Sequence, residues 1–293
     1  MNWEPEAKEV VEMIPVPEII KNMTILYAEK LARARKSSKV TMDDVNKTRD
    51  DYFEMLGNSF KERICCVREQ GKKDDDVDPE LELNKGPVLY RIELCHQRFF
   101  GCPRQIIDVK EIGKKVKQKL EDIKLTEIIA DKTDEPFMPH NFFTVSISSC
   151  PNNCTAAETK DFGMHGVIEP EVDQEACTKC GKCIEVCPDD AILFKHDKLK
   201  INRRACVICG ACIEACPVSA IKNKKQGVRV LVGGRFGRWH TDGKELFKNE
   251  PLGTAMKALE ASVDLIKNEA GPHEHLYHLV NRLGLKPLHD RIM

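Results

Sequence analysis

Cys177-Thr-Lys-Cys-Gly-Lys-Cys-Ile-Glu-Val-Cys-Pro188 recurs 29 residues later as Cys206-Val-Ile-Cys-Gly-Ala-Cys-Ile-Glu-Ala-Cys-Pro217. The two-residue gaps let three thiolates on one tight loop reach three corners of a single iron–sulfur cube. The fourth cysteine, set apart by proline, faces the other cube. The duplicated motif therefore predicts a pair of [4Fe–4S] clusters. Zinc is an alternative, but it would use four cysteines per site without this crossed pattern, and a purely structural cluster is another.

The crossed pattern divides the eight cysteines into two sets. The first cluster takes Cys177, Cys180, Cys183 and Cys216. The second cluster takes Cys206, Cys209, Cys212 and Cys187. Gly181 and Gly210 keep the backbone close to the sulfides, where amide N–H groups tune the reduction potential. The module resembles the bacterial two-cluster ferredoxins, which implies electron relay and does not by itself imply catalysis.

Composition limits the remaining classes of protein. The 293 residues are long enough for one large domain or two to three small ones. Lys plus Arg (46) nearly cancels Asp plus Glu (47), which gives no reason to expect a nucleic acid or an anionic membrane as partner. Neither end has the apolar run of a signal peptide or a membrane span, so we expect a cytoplasmic protein with no membrane insertion. Disulfides are rare where thiols stay reduced, and all but two of the 14 cysteines have the spacing of metal ligands.

The first 56 residues have the apolar spacing of a small helical domain. The spacing predicts helices at Ala7–Met13, Pro17–Ser37 and Met42–Leu56. Thr41-Met-Asp-Asp44 is typical of a capping box that opens the third helix. Residues 57–85 are polar and charged and are predicted to be a linker, with Cys65 and Cys66 as ordinary thiols.

From Gly86 onward the pattern changes to mixed strands and helices. The predicted elements are strands at Val88–Cys95, Asn141–Ser148 and Val228–Val232, and helices at Val109–Ile129, Thr254–Glu269 and His273–Leu283. A glycine loop, Gly233-Gly-Arg-Phe-Gly237, follows the third strand. We predict an α+β domain, residues 86–167 and 224–293, interrupted by the ferredoxin module at 168–223.

Four more cysteines form two short-spaced pairs. Cys95-His-Gln-Arg-Phe-Phe-Gly-Cys102 lies upstream of the module, and Cys150-Pro-Asn-Asn-Cys154 follows a predicted strand. Together they supply four thiolates for a third cluster. Buried or incidental thiols are the alternative.

The second pair and its surroundings resemble the siroheme-binding half of nitrite and sulfite reductases. The resemblance is carried by Ser146-Ile-Ser-Ser-Cys-Pro-Asn-Asn-Cys154, Asp161-Phe-Gly-Met-His-Gly-Val167 and Gly227–Arg238. Dissimilatory sulfite reductases also have a ferredoxin module inserted after the cysteine motif. The resemblance implies that Cys95, Cys102, Cys150 and Cys154 hold a third [4Fe–4S] cube. It also implies that Cys154 bridges this cube to siroheme.

Two features depart from that family. Six residues separate Cys95 from Cys102, where the family usually has five. The family's enzymes contain two related halves, and this chain has room for one. It must therefore pair with another copy or subunit, or lack the full active site.

The N-terminal unit resembles a small helical domain of light-independent protochlorophyllide reductase, with a histone-like helix pair as the competing interpretation.

Cationic side chains beside these motifs are candidate anion contacts. We assign Arg98 and Arg104 to the substrate oxyanion and Arg235 and Arg238 to siroheme, with solvated surface charge as the alternative for each.

Our first hypothesis is an oxidoreductase in which electrons pass from the ferredoxin clusters to a siroheme centre that reduces sulfite or a similar oxyanion. The alternative is a non-catalytic electron-transfer subunit with three clusters and no siroheme. Both hypotheses require a redox donor protein, and both fit a homo- or hetero-oligomer.

Overall fold

The computed structural model of the chain describes residues 1–14, 18–56, 79–98, 102 and 104–292. Cys65, Cys66 and residues 57–78 of the predicted linker lie outside these ranges. The rest of that linker contains a short helix, α4 (Pro79–Leu83), whose Leu83 is buried against the main core. The core of the main domain therefore includes a residue that lies ahead of the domain start predicted at Gly86.

The N-terminal unit contains the three predicted helices, α1 (Pro5–Met13), α2 (Glu18–Ala34) and α3 (Met42–Leu56). Two short parallel strands, β1 (Asn2–Trp3) and β2 (Lys39–Val40), tie its loops together. The predicted capping box forms: the backbone N–H of Thr41 donates to the carboxylate of Asp44 at 2.8 Å. Arg35 also donates to this carboxylate at 2.8 Å, and that hydrogen bond is the main reason why the pKa of Asp44 is lowered.

The helical unit is docked on the rest of the chain. Tyr27 packs edge-on against Phe137, with ring centres 5.6 Å apart, and the Tyr52 hydroxyl donates to the Phe137 carbonyl at 2.8 Å. Lys30 donates to the Ala130 carbonyl at 2.8 Å, and burial lowers the pKa of this lysine. These contacts make the helical unit part of one folded body with the main domain.

The main domain is built on a five-stranded sheet. Its strands are β3 (Tyr90–Leu94), β4 (Phe143–Ser148), β5 (Phe162–Val172), β8 (Ile221–Val232) and β9 (Lys244–Glu250), adjacent in that order. β3, β4 and β5 are parallel, whereas β5, β8 and β9 are antiparallel. The connection from β3 to β4 contains α5 (Val109–Asp122) and α6 (Leu125–Asp131). The C-terminal helices are α9 (Leu252–Glu269), α10 (Leu276–Leu283) and α11 (Lys286–Ile292).

Most predicted elements of this domain are present, with four differences. The predicted helix Val109–Ile129 is two helices, because Lys124 has a left-handed backbone conformation (φ 55°). Strands β5 and β9 and helix α11 were not predicted. The α+β fold class is confirmed.

The cysteine-rich module is an extension of two strands of the sheet. β5 and β8 stay paired from Phe162–Val232 out to Val172–Ile221, with an irregularity at Glu169–Pro170. The module also contains a hairpin of β6 (Ile192–Lys195) and β7 (Lys198–Ile201), and two one-turn helices, α7 (Lys182–Glu185) and α8 (Ala211–Glu214). The continuous β5–β8 ribbon fixes the module to the main domain without a linker.

Candidate iron–sulfur centres

The first quartet of cysteines lines one small void in the module. Gly181 (φ 81°) turns the chain into α7, which presents Cys183, and Cys216 approaches from the second repeat. The void contains about 310 Å³ of space not occupied by protein atoms. Its lining includes Cys177, Cys180, Cys183 and Cys216.

The second quartet lines a matching void of about 310 Å³. Gly210 (φ 77°) turns the chain into α8, which presents Cys212 in the same manner. The lining includes Cys187, Cys206, Cys209 and Cys212. Each void therefore receives three cysteines from one repeat and the fourth from the other, which is the crossed grouping that the sequence predicts.

Backbone N–H groups point at the sulfur atoms of both fourth cysteines. Ala191 donates to Cys187 Sγ at 3.3 Å, and Ala220 donates to Cys216 Sγ at 3.1 Å. Burial acts to raise the pKa of Cys216, but four backbone N–H groups outweigh it and the pKa is lowered. A lowered thiol pKa favours the thiolate, which is the form that binds metal.

Three other cysteines of the module have raised pKa values. Burial raises the pKa of Cys183 and Cys206, and it raises the pKa of Cys212 to about 12. Neighbouring thiols of the same quartet add to the rise, because several thiolates facing one void repel each other. Such a set of thiolates is stable when cations compensate their charge, so the donor set fits an iron–sulfur cluster.

The third quartet lies where two neighbouring strands end. Cys95 follows β3 and Cys150 follows β4, and the parallel pairing of these strands brings their ends together. The pKa of Cys150 is raised by burial first and then by the proximity of Cys102, Cys154 and Cys95. The structure thus brings the four cysteines of the two short-spaced pairs into one neighbourhood.

Members of the third quartet differ in exposure. Cys95 and Cys150 are buried and Cys102 is half-buried, whereas Cys154 is exposed. Cys95 Sγ accepts the Ser149 N–H at 3.3 Å, and Cys154 Sγ accepts the Asn152 side-chain amide at 3.4 Å. Within the described residues, no three His, Cys, Asp or Glu side chains are arranged to hold a single metal ion. In a cube, each thiolate binds a different iron atom.

Hydroxyl groups that the sequence analysis did not single out fix the Cys150–Cys154 loop. Thr155 Oγ1 lies 2.6 Å from Ser146 Oγ and 2.7 Å from Ser148 Oγ, so the residue after Cys154 is anchored to β4. The alternation Ser146-Ile-Ser148 was the available signal, because it places two hydroxyls on one face of the strand.

The glycine loop after β8 closes against the same region. The N–H groups of Gly233 and Gly234 donate to the carbonyls of Asp161 and Lys160 at 2.8 and 2.9 Å. A side chain at Gly234 would overlap the backbone of Glu158. The loop is therefore a close backbone contact that supports the segment following Cys154.

The predicted anion contacts are in different environments. Arg98 donates to the Leu94 carbonyl and lies 3.7 Å from the Glu80 carboxylate, so it is held by α4. Arg235 stacks on Tyr277, 4.6 Å from the ring centre, and donates to its hydroxyl. Arg104 and Arg238 are exposed.

Arg104 lines a large open cleft between the main domain and the module. The main-domain side includes Cys150 and Asn152, and the module side includes Pro188 and Cys209. The cleft contains about 1510 Å³ of space not occupied by protein atoms, which makes it much larger than either of the two voids. Cys150 of the third quartet and Cys209 of the second quartet both line this cleft, whereas no cysteine of the first quartet does.

Comparison with known proteins defines the class. The family model described as "Nitrite and sulphite reductase 4Fe-4S domain" matches residues 91–293. The chain belongs to this family. It is therefore a sulfite reductase-like iron–sulfur protein, as the sequence predicts. The N-terminal helical unit lies outside the match, and its resemblance stays a prediction.

Individual relatives agree with the family. A coenzyme F420-dependent sulfite reductase of Methanocaldococcus jannaschii is 38% identical over 190 residues, which are 65% of this chain and 27% of that protein. One of the anaerobic sulfite reductase subunits of Salmonella typhimurium is 35% identical over 54 residues, 18% of this chain and 16% of that one. The crystal structure of a dissimilatory sulfite reductase I is similar with a TM-score of 0.47 at 19% identity, covering 69% of this chain and 51% of that one. The chain thus spans well under two thirds of these relatives.

No helix in the described ranges is long and apolar enough to cross a membrane.

Proposed function

We propose that this chain passes electrons through its own iron–sulfur clusters to a siroheme at Cys154, where sulfite or a similar oxyanion is reduced. Each of the three cysteine quartets would hold one [4Fe–4S] cube. The ligands would be the first quartet (Cys177, Cys180, Cys183 and Cys216), the second (Cys187, Cys206, Cys209 and Cys212) and the third (Cys95, Cys102, Cys150 and Cys154). The crossed lining of the two voids supports the first two assignments, and the convergence of β3 and β4 supports the third.

The exposure of Cys154 is the observation that carries the siroheme assignment. A thiolate that binds one iron of a cube and also a second metal must remain accessible on its outer side. Cys154 is exposed, whereas the other members of the third quartet are buried or half-buried. When bound, the cubes supply one-electron transfer, and siroheme supplies an iron to which the oxyanion binds.

The residues around Cys154 would set its position and charge. The Asn152 amide donates to the sulfur, which lowers the electron density on the thiolate. The contacts of Thr155 with Ser146 and Ser148 hold the loop in register with β4. Among the described residues Arg104 and Arg238 form no ion pair, so these two candidates are available for carboxylate or oxyanion binding, whereas Arg98 and Arg235 already have protein partners.

The visible spectrum of anaerobically purified protein, made in a host that supplies siroheme, tests this proposal. We expect sharp siroheme bands on the broad cluster absorption, and loss of these bands and of sulfite reduction in Cys154→Ser. Cys216→Ser is the matched control, because it removes a ligand of the first quartet and should leave the siroheme bands in place. Wild-type protein without siroheme bands would contradict the proposal.

A second candidate function is a non-catalytic electron-transfer subunit that keeps three cubes and lacks siroheme. The arrangement of Arg98 favours it, because a substrate-binding arginine should not be held by Glu80. In this case the chemistry takes place on a partner subunit. The same spectrum separates the two functions, since this one predicts cluster absorption alone.

A further inference from the structure

The β6–β7 hairpin covers the first cysteine quartet, and its inner face belongs to that site. Phe194 and Leu199 are cross-strand partners, and both side chains line the void that receives the first quartet. Side chains of a strand alternate between its two faces. The neighbours of Phe194 and Leu199 along each strand therefore point away from the cysteines.

The outer face of the hairpin combines one leucine with three lysines. Leu193 lies opposite Lys200, and Lys195 lies opposite Lys198. All four side chains are exposed, with Leu193 at 44%. Like charges directly opposite one another destabilise a strand pair, so this arrangement has a cost in stability that the fold itself does not require.

These positive charges are not neutralised by neighbouring acids. Among the described residues, no ion pair involves Lys195, Lys198 or Lys200, and the turn residue Asp197 pairs instead with Lys179. The outer face of the hairpin thus has three lysines, a formal charge of +3, around an exposed leucine. An apolar centre with a charged rim is typical of a protein-binding surface.

Another part of the module contacts the main domain. The loop of the second quartet is bonded to β5 through Ile168 and Ile208, and this quartet borders the cleft toward Cys150. Acidic side chains, Asp189 and Glu214, line that cleft. No residue of the β6–β7 hairpin lines this cleft, so the basic outer face of the hairpin is a separate surface of the module.

We propose that the outer face of the β6–β7 hairpin docks an acidic one-electron carrier protein, which delivers electrons to the cluster of the first quartet. The inference rests on the proposed electron-transfer function. In this step one electron leaves the reduced carrier and reduces the oxidised cube, and no bond forms or breaks. Leu193 contributes the apolar contact, and the lysines attract the carrier's negative charge.

Titration with a reduced plant-type [2Fe–2S] ferredoxin, a small acidic carrier, tests this site. Two quantities are measured anaerobically over a series of salt concentrations: the dissociation constant, by calorimetry, and the rate of cluster bleaching, by stopped flow. At low salt, the triple variant K195E/K198E/K200E should bind at least tenfold more weakly and be reduced 10- to 1,000-fold more slowly than wild type. The difference should shrink as salt increases.

A second triple variant controls for total charge. K115E/K257E/K267E changes the net charge by the same amount at exposed lysines of α5 and α9 that form no ion pair among the described residues. This control should bind the ferredoxin nearly as wild type does. L193S should weaken binding severalfold without changing its salt dependence, and K195Q/K198Q/K200Q should fall between wild type and the glutamate variant.

The possible results separate the two proposals. If both glutamate variants lose binding equally, or if wild type does not bind at low salt, the docking site is wrong while the clusters stand. If the hairpin variants bind weakly as expected but wild-type protein shows no clusters to bleach, the docking site stands and the proposed function fails. The methyl viologen radical, a small cationic reductant, should reduce the clusters of the hairpin variant at least as fast as those of wild type. A slower reaction would show damaged clusters and would overturn the binding interpretation.

Discussion

The backbone N–H of Ile168 donates a 2.7 Å hydrogen bond to the carbonyl of Ile208, which joins the sheet directly to the loop of the second cysteine quartet. Gly210 also lies next to Ile168, because a Cβ atom added at Gly210 would be 3.4 Å from the Ile168 side chain, at van der Waals distance. β5 is also the neighbour of β4, which leads into Cys150. The second and third quartets are thus held by adjacent strands of one sheet, and this fixes the separation on which electron transfer between them depends.

Replacement of the fourth cysteine in each repeat tests the crossed grouping. Cys187→Ser should remove the cluster of Cys206, Cys209 and Cys212, because Cys187 lines their void. Cys216→Ser should remove the other cluster of the module. Iron analysis and electron paramagnetic resonance of each variant, reduced anaerobically, would identify the missing cluster. The grouping is wrong if Cys187→Ser damages the cluster of Cys177, Cys180 and Cys183.

Gly163 is expected to be essential for the third quartet. A side chain there would overlap the carbonyl of Ala157, in the segment that follows Cys154. Gly163→Ala should therefore destabilise the protein by about 1–3 kcal/mol, as overpacking does, and shift the Cys150–Cys154 loop. Denaturant unfolding and iron content measure both effects, and we expect the clusters of the module to remain.

Gly253→Ala is the matched control for this substitution. Gly253 lies in α9, and nothing is within 4 Å of an added Cβ. Since alanine is favoured over glycine in a helix by about 1 kcal/mol, this variant should be as stable as wild type or more stable. Equal losses of stability and of iron in the two variants would contradict the role assigned to Gly163.

Asp161 should make stability depend on pH. Burial raises the pKa of this carboxyl from 3.8 to about 6, although Thr144 donates two hydrogen bonds to it. Between these values the folded state binds the proton more tightly than the unfolded state, so stability falls as pH rises toward 6. A pKa shift of this size corresponds to a change of about 3 kcal/mol in the free energy of unfolding.

Asp161→Asn removes this titration and keeps an oxygen acceptor for Thr144. The stability of the variant relative to wild type should therefore increase from pH 5 to pH 7 and then stay constant. Urea unfolding under anaerobic conditions at half-unit pH steps measures the difference. A constant difference across this range would show that Asp161 does not titrate there.

The features best predicted from the sequence are those formed by residues that lie close together in the chain. The first three cysteines of each repeat are three residues apart, so their spacing alone predicts a shared site, and the structure lines one void with each set. Thr41 and Asp44 were predictable for the same reason, because a capping box spans four residues.

Other features depend on tertiary contacts that spacing does not reveal. β5 begins Phe162-Gly-Met-His-Gly, and its two glycines weaken the strand pattern in the sequence. The structure explains them by close packing, since Gly163 lies against Ala157 and Gly166 lies against the Ser149 carbonyl. β9 is a charged edge strand, which lacks the apolar alternation that predicts a strand. The partner of Arg98, Glu80, lies in a segment predicted to be a linker.

Iron and acid-labile sulfide per chain in anaerobically purified protein test the central claim, three cubes in one chain, most directly. Siroheme iron is extracted and counted separately, so that only cluster iron enters the comparison. Three cubes give about 12 cluster irons and about 12 sulfides per chain, at four of each per cube. A value near 8, by the same stoichiometry, would show that Cys95, Cys102, Cys150 and Cys154 hold no cluster and would contradict the account.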